Sequence, residues 1–242
     1  VREVGGGIVE VNAAPGFRMH THPTEGEAQY VAKPVIDMLF PQGAPSRIPI
    51  VAVTGSNGKT TTARMIAHIM KGMGRKVGLT STDGIYVDGR IVRRSDASGP
   101  KSASMVLQNP TVDFAVFEVA RGGILREGLG YQRNDVAVVL NVTGDHLGLG
   151  GITSIKQLAG VKQVVVEAVP RDGVAVLNAD DALVAAMARH CSGSVIYFSM
   201  ATQKRGTTIE VTVATPPRNP SRSDHASAAS SSASRPANWP KT

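Results

Sequence analysis

Apolar and polar positions alternate along the chain in blocks that predict strands followed by helices. Six continuous apolar runs are typical of strands buried on both faces of a sheet, and they span residues 48–53, 77–82, 112–118, 136–142, 174–177 and 195–198. Apolar residues at helical spacing predict three helices, at residues 61–71, 153–169 and 180–190. Residues 85–92, with Asp88-Gly89 between two β-prone flanks, predict a hairpin. This alternation predicts an α/β fold, a mostly parallel sheet with helices on both faces.

The composition divides the chain into three regions. Residues 1–47 carry a short apolar strand, a loop with Pro, Gly and His, a helix-like stretch and a linker. Residues 48–200 contain the alternating strands and helices. Residues 201–242 are rich in Ser, Ala and Pro and lack sustained periodicity, so we expect a low-complexity, disordered tail.

Charge and cysteine content narrow the class of protein. The net charge is +7, and residues 201–242 supply +4 of it, with six Lys or Arg against two acidic residues. A basic nucleic-acid-associated protein is therefore an alternative that rests on the tail alone, and we do not expect nucleic acid as a partner. One cysteine, Cys191, excludes an intrachain disulfide and predicts the reducing cytoplasm. No apolar run reaches the length of a membrane helix, so we expect no membrane partner.

The segment VTGSNGKTT at residues 53–61 joins the first predicted strand to the first helix. Its glycines let successive backbone N–H groups point at phosphate oxygens, and the helix N-terminus adds partial positive charge. Lys59 is placed to reach the outer phosphates, and the Thr60 hydroxyl to bind Mg²⁺. A strict Walker A loop would have Gly at position 53, where this chain has Val53, so the match is the shorter form G-x-N-G-K-T. The alternative is an ordinary glycine-rich turn with a solvated Lys59.

Polar residues come after other predicted strands at the same edge of the sheet. Glu118 ends one strand, and His146 comes after the next. With the Thr60 hydroxyl they would form a Mg²⁺ site, although imidazole is an unusual ligand for this ion. The alternatives are a capping or ion-paired Glu118 and a loop His146 bonded to the backbone. Lys162 lies within an apolar helical run, and periodicity alone favours a surface position for it.

Residues 54–61, with NVTGDHL at residues 141–147, resemble the Mur ligase family, which includes the folylpolyglutamate synthases. Three further segments are similar to the Mur-ligase-like domain of the cyanophycin synthetases, namely TDGIYVDGR at 82–90, FEVARGGIL at 117–125 and LNADDALVAAMA at 177–188. GIVEVNAAPGFRMH at residues 7–20 resembles the end of the ATP-grasp domain in the same enzymes. The resemblance spans about residues 1–200 and implies a P-loop-type central domain at 48–200, preceded by an ATP-grasp remnant.

The resemblance implies an ATP-dependent amino-acid ligase that makes a polymer with an aspartate backbone and arginine side groups. The ATP-grasp part would add aspartate to the backbone, and the Mur-like part would join arginine to the aspartate side chain. Each carboxylate would be activated as an acyl phosphate and then attacked by an amine, with Mg²⁺ as cofactor. The implied partners are ATP, aspartate, arginine and a cyanophycin primer, and we expect a homo-oligomer at full length.

The resemblance also implies roles for individual residues. Those expected to hold the ATP phosphates are Gly55, Ser56, Asn57, Gly58, Lys59, Thr60 and Thr61. Asn178 and Asp180 would lie near the nucleotide. Thr60 and Glu118 would bind Mg²⁺ and His146 a second Mg²⁺. Lys162 aligns with the lysine that many Mur ligases carbamylate, which places it in the site, and catalytic roles are expected for Lys59, Glu118, His146 and Lys162.

Further expected site positions lie outside the phosphate loop. Glu10 and Asn12 match the metal pair of ATP-grasp sites, and the alternative is the polar face of an edge strand. Asp83, Ser98 and Gly99 fall where the family contacts its acceptor polymer.

The chain departs from the family at both ends. Only the end of the ATP-grasp domain is recognisable, and the resemblance is expected to stop at residue 200, before the carboxyl-terminal domain. We therefore expect an incomplete Mur-like domain, from a truncated or frame-shifted gene product or a fragment of an assembly. The alternative function is a P-loop module that binds nucleotide without ligase turnover.

Overall fold

The computed structural model describes residues 11–12, 14–144, 147–148, 150–200 and 210–214. The strands are β1 Ile50–Thr54, β2 Val77–Ser81, β3 Gly84–Val87, β4 Arg90–Arg93, β5 Phe114–Glu118, β6 Val136–Val139, β7 Val174–Asn178, β8 Ser194–Ser199 and β9 Glu210–Ala214. The helices are α1 Arg18–Thr21, α2 Ala32–Leu39, α3 Lys59–Gly72, α4 Pro100–Leu107, α5 Arg121–Glu127, α6 Ile155–Glu167 and α7 Ala182–Ala185, which leads into a 3₁₀ segment, Ala186–His190. None of the helices in these ranges is both long enough and apolar enough to cross a membrane.

Nine strands of the described residues form one sheet in the order β4-β3-β2-β5-β1-β6-β7-β8-β9. The six central strands, from β2 to β8, are parallel to their neighbours. The hairpin β3–β4 extends one edge antiparallel, and β9 adds an antiparallel strand at the other. The predicted α/β class with a mostly parallel sheet is confirmed.

Helices cover both faces of the sheet, as predicted. On one face α3 packs on alternate strand residues, including Val51, Val53 and Val116. On the other face α4, α5, α6 and α7 cover the intervening residues, such as Phe117 and Leu177. Successive strand residues point to opposite faces, so apolar runs without alternation are what a sheet covered on both sides requires.

Strand order places the chemistry-bearing residues at one edge. In register, Val53 of β1 lies beside Glu118 of β5 on one side and beside Val138 of β6 on the other. The loop after β1 therefore emerges between the carboxyl ends of β5 and β6. In open parallel sheets this edge is where ligands bind.

Two helices on the second face were not predicted from the sequence. α4 begins directly after Gly99, with Pro100 at its first position. Proline is favourable there because the backbone N–H that it lacks would have no partner within the helix. α5 contains Gly122 and Gly123, which are poor helix formers. A Cβ at Gly123 would lie 3.0 Å from the Gly99 Cα, so the glycine lets α5 approach the start of α4.

The two ends of the chain also differ in part from expectation. Residues 210–214 form β9, so the region predicted as a disordered tail contains a strand. The predicted helix at 180–190 is a four-residue α-helix capped by the Asp181 carboxylate, with the 3₁₀ segment directly after it. In the first region, α2 matches the helix-like stretch, and none of its residues is buried.

Two glycine substitutions test the packing of this fold with opposite signs. Gly193→Ala should lower the free energy of unfolding by about 1–3 kcal/mol, because its Cβ would lie 2.2 Å from the Gly173 carbonyl oxygen. Gly160→Ala, in α6 with open space around it, should raise that free energy by about 0.5–1 kcal/mol. Urea unfolding measures both. A stabilising Gly193→Ala would contradict the close approach of the two turns.

Candidate active site

The segment after β1 has the backbone of a phosphate loop. Gly55 has φ +156° and Gly58 has φ +84°, and a Cβ on Gly55 would lie 3.0 Å from the Leu140 Cβ. Gly58 is the N-cap of α3, which begins at Lys59, two residues earlier than the spacing predicts. Lys59 and Thr60 therefore lie in the first helical turn. Val53, which replaces the Walker A glycine, is fully buried under α3.

Asn141, which lies just after β6, holds this loop in place. Its Oδ1 accepts hydrogen bonds from the backbone N–H groups of Ser56 (3.0 Å) and Asn57 (2.8 Å). Its Nδ2 donates to the Asn57 carbonyl at 3.2 Å. The Ser56 hydroxyl and backbone of Thr143 also bond to each other. The loop is thus fixed from the neighbouring strand before any ligand binds.

Glu118 and Thr60 meet at the carboxyl end of β5, as predicted. The Thr60 hydroxyl donates to Glu118 Oε2 at 2.9 Å, and the Thr82 N–H donates to the same oxygen at 3.1 Å. Glu118 is only 2% exposed. These contacts join α3, β5 and the end of β2 around one buried carboxylate.

This donor pair fits a hard divalent cation. Mg²⁺ prefers hydroxyl, carboxylate, phosphate and water oxygens in an octahedral shell. Two oxygens bound at about 2.1 Å and at right angles lie about 3 Å apart, and Thr60 Oγ1 and Glu118 Oε2 are 2.9 Å apart. The described residues contain no group of three or more His, Cys, Asp or Glu suited to a metal.

Two lysines bond to the carbonyls of the loop. Lys59 Nζ donates to the Ser56 carbonyl at 2.9 Å. Lys162 Nζ donates to the Gly55 carbonyl at 2.8 Å, and Lys162 is 4% exposed. The surface position that periodicity favoured for Lys162 is therefore wrong, because a loop carbonyl gives the buried ammonium a partner.

A cavity of about 290 Å³ lies beside the loop. Its lining contains both lysines, neighbours of each, and residues from three other segments: Gly55, Ser56, Lys59, Thr82, Asp96, Ser98, Ala120, Arg121, Gly122, Leu158 and Lys162. Larger grooves of about 720 Å³ and 570 Å³ lie at the amino ends of the strands and beside α3, and neither is lined by a predicted site residue. Cavity volume alone would therefore not select the cavity that the predicted site residues line.

The structure places the three residues that were expected to contact an acceptor in three different environments. Ser98 is buried and lines the cavity, and Asp96 Oδ1 accepts from its backbone N–H and hydroxyl. Gly99 forms the close contact with α5 described above. Asp83 does not line the cavity and instead forms an ion pair with Arg64 of α3, at half exposure.

Asn178 and Asp180 tie the end of β7 to its neighbours. Asn178 Nδ2 donates to the Leu140 carbonyl at 2.8 Å, and Asn178 Oδ1 accepts from the Asp180 N–H at 2.9 Å. The Asp180 carboxylate accepts from the Ser199 hydroxyl and the Met200 N–H. Neither residue lines the cavity, so their nearness to a nucleotide stays a prediction.

Some positions were placed elsewhere or not singled out. Glu10 and His146 lie outside the described residues, and Asn12 is exposed. Sequence reasoning did not select Asn141, Asp96 or Arg121 as site residues. Asn141 stands in the motif that carried the family resemblance, so that motif was the available signal.

Comparison with known proteins identifies the relatives of this chain. The sequence profile described as the Mur ligase middle domain matches residues 53–219, so similarity continues past residue 200, where it was predicted to stop. A cyanophycin synthetase of Crocosphaera subtropica is 60% identical over 200 residues, which cover 83% of this chain and 23% of that protein. One of Geminocystis herdmanii is 61% identical over 198 residues, with coverages of 82% and 23%.

A solved structure shows the same fold. The chain matches a UDP-N-acetylmuramoyl-L-alanyl-D-glutamate–2,6-diaminopimelate ligase with a TM-score of 0.54 and 22% identity, over 71% of this chain and 35% of that one. The chain spans about a quarter of the length of the two cyanophycin synthetases.

The bonds of Asn141 predict a measurable change in the loop. Asn141→Ala should speed hydrogen exchange at the Asn57 amide about fivefold, because that N–H loses its 2.8 Å acceptor, which is worth about 1 kcal/mol. Asn141→Asp, which keeps the acceptor oxygen, is the matched control and should change this exchange far less. Equal rates in wild type and Asn141→Ala would contradict the role given to the side chain.

Proposed function

The chain belongs to the Mur ligase family, and from that premise we propose that it forms the ATP-binding part of an ATP-dependent ligase that joins an amine to a carboxylate. One observation carries the proposal: the phosphate loop and two lysines line one cavity, and the Thr60–Glu118 pair is bonded to Thr82, another residue of that lining. A loop of inward N–H groups at a helix N-terminus recognises phosphate, and a neighbouring carboxylate and hydroxyl suit the metal that accompanies ATP.

In the proposed reaction the backbone N–H groups at the start of α3 and Lys59 hold the ATP phosphates. An oxygen of the substrate carboxylate attacks the γ-phosphorus, the bond to ADP breaks, and an acyl phosphate forms. The amine then attacks the acyl carbon, phosphate leaves, and the amine loses a proton to solvent or a base. Mg²⁺ would supply charge neutralisation at the phosphates. Thr60 and Glu118 would hold it, and the fixed dipoles around them need little reorganisation.

Lys162 has a proposed part in the same step. Its ammonium is buried and bonds the Gly55 carbonyl, so the positive charge lies directly against the phosphate loop. In this form it would stabilise phosphate charge. Carbamylation would turn the same side chain into a carboxylate that faces a metal, and the family resemblance is the reason to test for it by mass spectrometry.

We propose the substrate class from the relatives. High identity to cyanophycin synthetases supports arginine as the amine and an aspartate side chain of a polymer as the carboxylate. Aspartate addition would belong to the ATP-grasp part, where Glu10 and Asn12 would form a metal pair. The proposed partners are ATP, arginine, aspartate and the polymer primer, with Mg²⁺ as cofactor, in a cytoplasmic homo-oligomer.

A second candidate is nucleotide binding without ligase turnover. The observation that favours it is that the loop and the Thr60–Glu118 pair are held by contacts within this chain, whereas Asp83, an expected acceptor position, does not line the cavity. Arginine-dependent ADP release with a primer would favour the ligase. Nucleotide binding without that release would favour the second candidate.

Lys59 gives the first test. Lys59→Ala should weaken Mg-ATP binding to the chain about tenfold to a hundredfold, because a hydrogen bond to a charged phosphate contributes about 1.5–3 kcal/mol. Isothermal titration calorimetry measures this affinity. Lys156→Ala, which removes an exposed lysine of α6, is the matched control and should bind as wild type does. Equal binding by Lys59→Ala and wild type would refute the assignment of the loop.

Glu118 gives the second test. Glu118→Gln keeps the shape and an oxygen for Thr60 and Thr82, but it removes the charge that a metal needs. The Mg²⁺ concentration that half-saturates ATP binding should therefore rise about tenfold or more. Glu167→Gln, at the end of α6, serves as the control. A Mg²⁺ titration that matches wild type would rule out Glu118 as a ligand.

A further inference from the structure

Half of the sheet is covered on one face only by the residues that the structure describes. On the first face, α3 packs over β1, β2 and β5, and among the helices of the described ranges it alone contributes to the core there. The other helices of that core, α4 to α7, lie on the opposite face. The strands β6, β7 and β8 are therefore covered on the opposite face and open on the α3 face.

Burial along the open strands alternates as this arrangement requires. In β7, Ala175 and Leu177 are 0% exposed and belong to the covered face, whereas Val174 and Val176 between them are half-buried. Strand register brings six uncharged side chains together on the open face: Val136, Val138, Val174, Val176, Ile196 and Phe198. We call these six residues the floor. Parallel sheets are normally covered on both faces, so an apolar floor predicts a contact.

α3 carries a second apolar surface without cover. Met65, Ile69 and Met73, the residue that follows the helix, are 60%, 57% and 61% exposed. They are spaced four residues apart, so they form one stripe along the side of the helix. Side chains of this size are seldom left so exposed in a row, and the stripe predicts a contact of its own.

The stripe lies on the side of α3 that borders the floor. Ile66 and Met70 pack on the sheet beneath the helix. His68 and Lys71 line the groove on the β2 side of α3. Successive helical residues are about 100° apart, which turns the stripe roughly 90° away from the sheet-facing residues, in the direction opposite to that groove. In the strand order this direction leads from β1 to β6, so stripe and floor form one apolar trough.

We propose that a second copy of this chain fills the trough, in a dimer with two-fold symmetry. α3 of each copy lies on the floor of the other copy, and the two stripes pack against each other beside the symmetry axis. A two-fold contact uses the same surface of both copies, so it covers both floors and both stripes at once. Two helices then lie between two sheets, which repeats the helix-on-sheet packing within each copy.

The tail of the chain is a poor alternative occupant. Residues 215–242 contain five prolines and one large apolar side chain, Trp239, so their sequence offers no amphipathic helix for the trough.

The size of the trough suits a weak dimer. A helix of 14 residues is about 21 Å long and about 10 Å across, so the floor contact, the outer side of α3 and the stripe together bury roughly 600 Å² per copy. Stable complexes bury about 800 Å² per partner, and we therefore expect a dissociation constant on the order of 10 µM.

Sedimentation velocity of the 242-residue chain at about 1–100 µM tests the dimer without nucleotide, so its outcome does not depend on the function proposed above. We expect a reversible equilibrium between monomer and dimer. A monomer throughout this range would overturn the proposal and leave the trough to a helix of another polypeptide segment. Larger, open-ended assemblies would also overturn it, because a two-fold contact closes at two copies.

A charge in the stripe tests which surface forms the contact. Ile69→Glu places two like charges beside the symmetry axis and should raise the dissociation constant at least tenfold, although it lowers the net positive charge that keeps copies apart. Met105→Glu, at a 44% exposed residue of α4 on the opposite face, is the matched control and should dimerise as wild type does. Circular dichroism checks that both variants fold. A dimer that survives Ile69→Glu unchanged would overturn the proposal.

A mixture of two variants tests the symmetry. Ile69→Glu and Ile69→Lys should each be monomeric alone and should dimerise when mixed, because the two-fold axis brings position 69 of one copy beside position 69 of the other. A mixture that stays monomeric would refute the packing of stripe against stripe.

A change in the floor tests the other half of the contact. Val176→Thr keeps the shape of the side chain but adds a hydroxyl that α3 of the second copy cannot bond. It should weaken the dimer about tenfold or more, since the change occurs twice in each dimer. An unchanged dissociation constant would refute the role of the floor.

Discussion

A buried carboxylate at the end of β5 is the constraint on which this edge of the sheet depends. Glu118 is 2% exposed, and a charge in that position is strongly unfavourable unless it is paired or bound to a cation. Two hydrogen bonds to Glu118 offset part of this cost, one from the Thr60 hydroxyl in the first turn of α3 and one from the Thr82 N–H after β2. The need to satisfy one side chain thus draws three elements together, and the convergence is where a bound metal cation would supply the remaining positive charge.

The phosphate loop is fixed by residues far away in sequence. Asn141 holds it from the end of β6, and Lys162 reaches it from α6, so the backbone of residues 55–57 is bonded before a ligand arrives. This arrangement is a consequence of strand order, because β1 lies between β5 and β6 in the sheet. Groups that are already oriented lose little free energy on binding, which is the physical basis for electrostatic preorganisation.

Local pattern was enough to predict the sheet apart from β9, the phosphate loop and the Thr60–Glu118 pair, since each depends on an apolar run and on the polar residues at its carboxyl end. Contacts between segments that lie far apart in the sequence were harder to predict. α5 was missed because Gly122 and Gly123 oppose helix formation, yet Gly123 is the residue that lets α5 reach Gly99. Lys162 was first assigned to the surface, because its partner, the Gly55 carbonyl, lies 107 residues earlier.

The central claim is that a divalent cation binds between Thr60 and Glu118 together with a nucleotide at the loop. Paramagnetic broadening by Mn²⁺, which shares the oxygen preference of Mg²⁺, tests this directly in the NMR spectrum of the chain with ADP. The account predicts that the amide signals of Thr60, Thr82 and Glu118 broaden first, and only when ADP is present. Broadening centred elsewhere, or the same with and without ADP, would contradict it.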